Sequence, residues 1–376
     1  MIPYGRQDIS DEDIAAVVEV LKSDWLTTGP AIDRFEQQVA SHCGAAHAAA
    51  VSNGTVALHV ACRALDLGPG DLLWTTPNTF VASANCARYC GADVDFVDID
   101  SRTYNMDAGL LERKLRTGKP PKIVVPVHFA GQPCDMQAIG ALARKYGFAV
   151  IEDASHAIGA TYKGEPVGNC RYSDITTLSF HPVKIVTSGE GGMTLTNRAD
   201  LAGRLAILRT HGITRDPVRM AKGSQGPWYY EQIELGFNYR MTDIQAALAS
   251  SQLKRVDAFL ERRRELAARY DRLLADLPVT RPWQHADGVS AWHLYVIQVQ
   301  SERRRIFEAL RANGVGANVH YIPVHLQPYF AALGFKPGDF PNAEAYYTGA
   351  ITLPLFPRMT DADQDKVVEA LAKALA

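Results

Sequence analysis

The sequence predicts an α/β protein, with a mostly parallel central sheet flanked by helices and a smaller α+β region towards the C-terminus. Three observations carry this. Strand-like and helix-like segments alternate from residue 46 to about 210, the pattern of a sheet with helices on both faces. The strands are short continuous apolar runs, not alternating ones, as expected of strands covered on both sides. After residue 242 a long helical stretch leads into a second, shorter set of strands and helices.

Taken in order, a helix comes first. Ser10 is placed to cap DEDIAAVVEVLKSD, with Asp13 three residues on, and Ile14, Val17, Val18 and Leu21 form one apolar stripe. The strand AHAAAVS runs into the helix TVALHVACRALDLG. DLLWTT precedes the helix TFVASANCARYCGA, and VDFVDID precedes a helix over DAGLLERKLRTG. KIVVPVHF precedes DMQAIGALARKYG, and FAVIEDA and DITTLSF are two further strands. Thr242 to Leu277 has no Gly or Pro and is expected to be one helical connector. Beyond it, SAWHLYVIQV and VGANVHY read as strands on either side of the helix ERRRIFEALRANG, and Lys336 to Pro341 as a loop. The expected division is a large domain over 1–245, including the N-terminal segment, and a small C-terminal domain over 246–376.

The 376 residues are 47% apolar and 21% charged, with a formal net charge of −2. That balance excludes a strongly basic nucleic-acid footprint and a disordered polyelectrolyte. No apolar run approaches the ~20 residues needed to span a bilayer, and MIPYGRQDIS lacks the basic-then-apolar order of a signal peptide. A cytoplasmic protein with no nucleic-acid or membrane partner is expected. The six cysteines, Cys43, Cys62, Cys86, Cys90, Cys134 and Cys170, form no CxxC pair, so reduced thiols are expected and a disulfide framework or zinc site is not. Cys86 and Cys90 are one helical turn apart and read as small apolar residues on one helix face. The runs Arg262–Arg264 and Arg303–Arg305 read as solvated helix faces.

Four segments carry chemistry, each at the end of a strand, where open α/β sheets place ligands. In SNGTVAL a strand ends, Gly54 turns, and a helix starts at Thr55, so free amides and the helix dipole make an anion site. In FAVIEDASHA a strand delivers Glu152 and Asp153 to its carboxyl end with His156 beyond. Asp153 there would either pair with a cationic ligand group or cap a helix. In TLSFHPVKIVTSGEGG, Lys184 lies between apolar Val183 and Ile185, an environment that favours a neutral amine able to attack a carbonyl. Ser179, five residues upstream, would reach another group of the same ligand. In GFNYRMTDIQAAL, Thr242 is a cap with Gln245 three residues later, which leaves Asn238 and Arg240 free to point elsewhere. Separately, NVHYIPVH sets His320, Tyr321 and His325 around a proline, but no carboxylate follows at metal-ligand spacing.

Together SFHPVK…GEGG, EDASHA and FNYRMTDIQAA resemble the sugar-nucleotide aminotransferases of the DegT/DnrJ/EryC1/StrS family, over a span running from IPYGRQ to LPLFP. The resemblance implies a fold-type I scaffold that binds pyridoxal 5′-phosphate. It implies that Lys184 holds the cofactor as a Schiff base and then moves protons as base and acid. Asp153 would face the pyridine nitrogen and keep the ring protonated. His156 would stand near the ring oxygen, Phe80 would cover a ring face, and Gly54, Thr55 and Ser179 would cradle the phosphate. Asn238 would reach the phosphate from a neighbouring subunit, which implies a homodimer with shared active sites.

Within the family, IPYGRQDIS, SDWLTTGP, TTPNTFVASANC, HFAGQPCDM and NVHYIPVHLQPYF look most like one branch. That branch makes UDP-4-amino-4,6-dideoxy-N-acetyl-β-L-altrosamine, an intermediate of pseudaminic acid biosynthesis. The implied reaction moves an amino group from L-glutamate to carbon 4 of a UDP-4-keto-6-deoxy-N-acetylhexosamine. The implied sugar-nucleotide contacts are Tyr4, Asp24, Trp25, Leu26, Thr27, His320, Tyr321, Ile322 and Pro323, with Gly54, Ser179 and Asn238 shared with the cofactor. Arg240 is expected, from charge and position alone, to meet a diphosphate or a glutamate carboxylate. One departure stands out. The branch often carries Ser-Ala-Thr-Ser in the phosphate loop, and here Asn53, Gly54, Thr55 and Val56 lack the second hydroxyl.

Other functions fit less well. Relatives that remove a hydroxyl from a 4-keto sugar typically replace the lysine by His, whereas Lys184 is present. A non-catalytic regulator on the same fold has no need to keep Asp153, Ser179, Lys184 and Asn238 together. No GxGxxG follows the first strand, which disfavours a nicotinamide enzyme. Another nucleotide 4-keto or 3-keto sugar remains open as the substrate.

Overall fold

The computed structural model describes residues 1–376. All six strands expected before residue 180 form. They are β1 (His47–Val51), β2 (Leu72–Thr75), β3 (Asp93–Phe96), β4 (Ile123–Val125), β5 (Ala149–Asp153) and β6 (Ile175–Ser179). A seventh, β7 (Gly192–Thr196), lies outside the expected set, because GMTLT offers only two large apolar side chains straight after a glycine-rich turn. The sheet order is β1-β7-β6-β5-β4-β2-β3. Only β7 is antiparallel to its neighbours, pairing Gly192 with both Val51 and Ser179. The carboxyl ends of β1, β5 and β6 and the start of β7 therefore meet at one edge of the sheet.

The strands bury both faces. Ile123 and Val125 of β4 join one apolar cluster with α3 (Gly54–Ala64), α4 (Ala82–Tyr89) and α7 (Ala199–Leu208). Val124, between them, joins Leu111, Ile139 and Leu142 of α5 (Ala108–Thr117) and α6 (Met136–Tyr146) on the opposite face. Two-residue periodicity with both sets apolar is what makes these strands continuous hydrophobic runs. Each fully buried side chain of this kind stabilises the fold by roughly 1.5–3 kcal/mol.

Several local expectations change. Ser10 and Asp13 cap α1 (Asp11–Leu21) reciprocally, as expected. Its apolar stripe does not face the core, however: Ile14 is 54% and Leu21 55% exposed. Asp13 is buried instead, its carboxylate meeting Gln252 Nε2 and the Arg255 guanidinium at 2.5 Å each. The connector is not one helix. Thr242 and Gln245 cap α8 (Asp243–Leu253), and α9 (Val256–Leu273) follows after a break at Lys254–Arg255. Arg255 leaves helical geometry (φ −107°, ψ 6°) as its guanidinium engages Asp13 and the Asp8 carbonyl. Of VGANVHY only Val315–Gly316 is a strand, paired in parallel with Ile2–Pro3. Asn318 then bridges Thr352, and the chain runs on irregularly through His320 and Tyr321.

A second sheet pairs β8 (Val279–Thr280), β9 (Tyr295–Val299) and β10 (Ala350–Leu353) antiparallel, in that order. Arg304 and Arg305, on α10 (Arg303–Ala312), are solvated and paired with Glu308 and Glu302. Arg263 breaks the expectation for its run. It is fully buried and donates to the carbonyls of Trp292, His293 and Leu355, because the turn at Trp292 offers carbonyls that no strand satisfies.

Candidate active site

The sheet edge opens into a cavity of about 780 Å³, a size suited to a cofactor together with part of a substrate. Lys184, Asp153, His156, Ser179, Gly54, Thr55, Phe80, Tyr4, His320 and Tyr321 all line it.

Lys184 sits in the loop after β6, its backbone amide held by the His181 carbonyl at 2.8 Å. Burial of the ammonium pushes its pKa down to about 8, against the smaller opposing pull of the Asp153 carboxylate. At that value roughly a tenth of the amine is neutral at pH 7, against well under a thousandth for an ordinary lysine.

Asp153 ends β5. Ser83 Oγ donates to its Oδ2 at 2.7 Å and the Ser155 amide donates to its Oδ1 at 3.1 Å. Ser83 in turn shares a 2.8 Å bond with Thr79 Oγ1. Residues 154–160 form turns, so no helix starts here for Asp153 to cap. Its carboxylate is buried and directed into the cavity that also holds the Lys184 amine.

Three histidines surround that pair. His156 meets the Tyr321 hydroxyl through Nε2 at 3.2 Å, while its buried Nδ1 has no partner. Burial holds His156 well below the usual imidazole range, with the Lys184 and His320 charges adding to it. His293 lies 4.3 Å from it, ring centre to ring centre, and is likewise pushed well down by burial. His320 falls to about 3, mainly through burial. Asn318 Nδ2 donates to His320 Nε2 at 3.3 Å, so Nδ1 carries the proton and donates to Thr352 Oγ1 at 2.8 Å. Neither His320 nitrogen is free for a metal, and His325 is paired with Glu344 at 2.9 Å away from the cavity.

The opposite wall is the start of α3. Asn53 caps it, Oδ1 accepting from the Val56 amide at 2.9 Å, and the helix begins at Gly54, one residue earlier than expected. The Gly54 and Thr55 amides have no protein acceptor and point out of the helix end. The contact is too close for side chains: a Cβ on Gly54 would stand 2.8 Å from Ser179 Cβ, and one on Gly192 would stand 2.4 Å from the Asn53 carbonyl oxygen. Val56, in place of a hydroxyl, also lines the cavity. Pyridoxal 5′-phosphate fits these residues. The two free amides and the hydroxyls of Thr55 and Ser179 match its phosphate, and the orphaned His156 Nδ1 awaits one polar partner.

Other expected site residues lie elsewhere. Asn238 is exposed, bridged to Thr210, and outside the cavity. Asp24, Trp25, Leu26 and Thr27 form an exposed strip. Thr27 bridges Thr242 and the Leu26 carbonyl accepts from the Asp243 amide at 3.0 Å, so this strip runs beside the FNYRMT segment. Ile322 is exposed and Pro323 buried, and neither reaches the cavity. Arg240 has no carboxylate partner and lines a separate cleft of about 210 Å³ with Asp33 and Arg209. Ser83, Thr79, Ser155, His293, Asn318 and Glu190 also line the cavity, though the sequence singles out none of them as a site residue. All but His293 lie within the motifs TTPNTFVASANC, EDASHA, GEGG and NVHYIPVHLQPYF, so their neighbourhood is legible but their roles are not.

Residues 7–372 match the model of the DegT/DnrJ/EryC1/StrS aminotransferase family. The spore coat polysaccharide biosynthesis protein SpsC of Bacillus subtilis is 42% identical over 378 residues, spanning 98% of this chain and 96% of SpsC. Among solved structures, the sugar aminotransferase Spr1654 of Streptococcus pneumoniae in its PMP-form superposes with a TM-score of 0.92 at 30% identity, covering 100% of this chain and 99% of that one. Helicobacter pylori PseC, an aminotransferase involved in the biosynthesis of pseudoaminic acid, gives a TM-score of 0.92 at 29% identity with the same coverage.

Proposed function

The chain belongs to the DegT/DnrJ/EryC1/StrS aminotransferase family, and from that premise we propose that it transfers an amino group from L-glutamate to carbon 4 of a UDP-4-keto-6-deoxy-N-acetylhexosamine. It is a sugar aminotransferase of α/β fold that uses pyridoxal 5′-phosphate. The product of the proposed reaction is UDP-4-amino-4,6-dideoxy-N-acetyl-β-L-altrosamine, for pseudaminic acid biosynthesis. The observation that carries the proposal is the Lys184 amine and the Asp153 carboxylate opening into one cavity whose wall is a bare helix N-terminus.

Bound in this site, the cofactor supplies an electron sink that lets an amino group leave one carbon and join another. The protein's residues do the rest. The Gly54 and Thr55 amides, with the Thr55 and Ser179 hydroxyls, anchor the phosphate. Asp153, fixed by Ser83 and Ser155, offers a negative charge to the ring nitrogen. His156, kept neutral by burial, offers Nδ1 to the ring oxygen. Phe80 covers one ring face. Lys184, with its pKa near 8, takes up and returns a proton without a large free-energy step in either direction. Tyr4, His320 and Tyr321 wall the sugar side.

Asn238 and the Asp24–Thr27 strip serve the site of a partner subunit in a homodimer. Their exclusion from their own cavity and their adjacency support this. The cofactor-binding part is 1–245 and the C-terminal part 246–376. The six free cysteines support a cytoplasmic setting, and no helix is long and apolar enough to cross a membrane.

A second substrate, another nucleotide 4-keto or 3-keto sugar, is favoured by two observations. SpsC, at 42% identity, is named for spore coat polysaccharide biosynthesis and not for pseudaminic acid, and Val56 removes a hydroxyl from the phosphate loop. Mass spectrometry of products from a panel of UDP-4-keto-6-deoxy sugars with glutamate separates the two. Amination of the L-arabino-configured 4-ketone in preference to the others supports the first, and its exclusion from turnover overturns it.

A further inference from the structure

The Tyr321 hydroxyl has a task besides walling the sugar side. It meets His156 Nε2 at 3.2 Å and makes no other hydrogen bond. The two rings are close to parallel, with centroids 6.2 Å apart and 23° between their planes. Burial keeps His156 neutral, so its ring holds one proton for two nitrogens. A phenol is a far stronger acid than a neutral imidazole N–H, and an imidazole nitrogen is a far stronger base than a phenol oxygen. The hydroxyl therefore donates to Nε2, and the His156 proton stays on Nδ1. Nδ1 is buried and has no partner in the protein. A buried N–H without an acceptor is unfavourable, so it is held for a group that arrives with a ligand.

Tyr321 stands in an irregular segment, with no helix or strand to fix it. Tyr346 supplies the restraint. Its hydroxyl donates to the His320 carbonyl, the peptide oxygen just before Tyr321, at 2.7 Å. Tyr346 is buried on the helix Pro341–Gly349 and packs 4.4 Å from Tyr104, ring centre to ring centre. Phe129, also buried, meets Tyr346 edge-on at 5.7 Å and Tyr321 edge-on at 6.2 Å, and lies 6.4 Å from His156. One rigid ring thus spaces all three side chains. The helix that carries Tyr346 is tied to the main sheet. Asp98, two residues past β3, accepts from the Asn342 amide at 2.8 Å and from the Ala343 amide at 3.0 Å.

We propose that Tyr321 and Tyr346 are positioning residues for His156: Tyr346, through the His320 carbonyl, holds the Tyr321 hydroxyl on His156 Nε2, and that bond fixes the His156 proton on Nδ1. Only the identity of the acceptor, the ring oxygen of pyridoxal 5′-phosphate, rests on the proposed function. The place of the proton belongs to the protein alone. A donor at Nδ1 favours negative charge on the ring oxygen, whereas the other tautomer would set a lone pair against it.

The test labels the full chain with isotopic histidine and reads each ring's tautomer by proton–nitrogen NMR without cofactor, His156→Gln identifying the signal. The expected spectrum shows a protonated Nδ1 and a bare Nε2 for His156. Tyr321→Phe keeps the ring and removes the donor, so the proton should move largely to Nε2. Tyr346→Phe should shift it the same way to a smaller extent. In the holoenzyme, loss of the Nδ1 donor should move the pH midpoint of the cofactor's visible band upwards, by about one unit for Tyr321→Phe and by less for Tyr346→Phe. Tyr104→Phe loses a hydroxyl but keeps the packing against Tyr346, and it should match wild type in both readouts. A proton on Nε2 of His156 in the wild type overturns the proposal whether or not any variant folds. So does a Tyr346→Phe protein that matches wild type in both readouts. A coenzyme bound elsewhere than Lys184 would change neither nitrogen's signal in the cofactor-free chain, so the two readings fail separately.

Discussion

Ser83 Oγ donates a 2.7 Å hydrogen bond to Oδ2 of Asp153, joining residues 70 positions apart in the chain. The bond orients the carboxylate towards the cavity and passes its restraint on to Thr79. A hydrogen bond to a charged group contributes ~1.5–3 kcal/mol. Ser83→Ala should therefore lower kcat by roughly 10- to 100-fold, with a melting temperature only a few degrees lower. Steady-state kinetics beside a thermal melt checks this, and an unchanged kcat would show that Asp153 needs no such support.

Asp153→Asn removes the charge and keeps the shape. Because no helix begins after Asp153, the fold loses little. The ring loses its counter-charge, and turnover should drop on the order of 10²–10³-fold. Comparable losses of melting temperature and rate would mean that the carboxylate serves the structure.

Lys184 makes stability depend on pH in a defined window. Its folded pKa is lowered to about 8, from 10.5 when unperturbed. Between those values the unfolded chain binds more protons than the folded one, so stability rises with pH across the window. In cofactor-free protein, Lys184→Met should be more stable than wild type below pH 8, and the gap should narrow as pH climbs from 8 towards 10.5. A gap that stays constant would place the amine in water.

Gly54→Ala puts a methyl group 2.8 Å from Ser179 Cβ. Overpacking of this kind costs ~1–3 kcal/mol, and here it falls on the phosphate cradle. The cofactor Kd should rise roughly tenfold or more. Gly68→Ala, which meets nothing within 4 Å, is the control and should leave Kd unchanged. Equal behaviour of the two variants would locate the phosphate elsewhere.

Shared sites predict complementation. Asn238→Ala and Lys184→Ala chains, each nearly inactive alone, should regain about a quarter of wild-type activity when unfolded and refolded together in equal amounts. Half the dimers are then hybrids, and one of the two sites in each hybrid is intact. No recovery in a mixture shown to contain hybrids would mean that Asn238 acts in its own subunit.

Local order was legible wherever chemistry and position lie close together in the chain. The strand runs, the caps at Ser10 and Thr242, and the SFHPVK loop could all be read from spacing. Elements set by distant partners could not. Strand β7 forms and is buried because it lies between β1 and β6, and the break at Lys254–Arg255 follows from Asp8 and Asp13, far away in sequence. Arg263 looked like a surface charge because the carbonyls it binds belong to other segments. The α1 stripe had the periodicity of a buried face, but that face lies open in the single chain. In the site, Lys184, Asp153 and the Gly54 turn came from motifs. Ser83 and His293 came only from the fold, which brings them to Asp153 and His156.

The most direct test of the central claim is to reduce the holoenzyme with sodium borohydride, digest it, and sequence the labelled peptide by mass spectrometry. A pyridoxyl group on Lys184 and on no other lysine is the predicted result. A label on a different lysine, or none in an enzyme that still turns over glutamate, would contradict it.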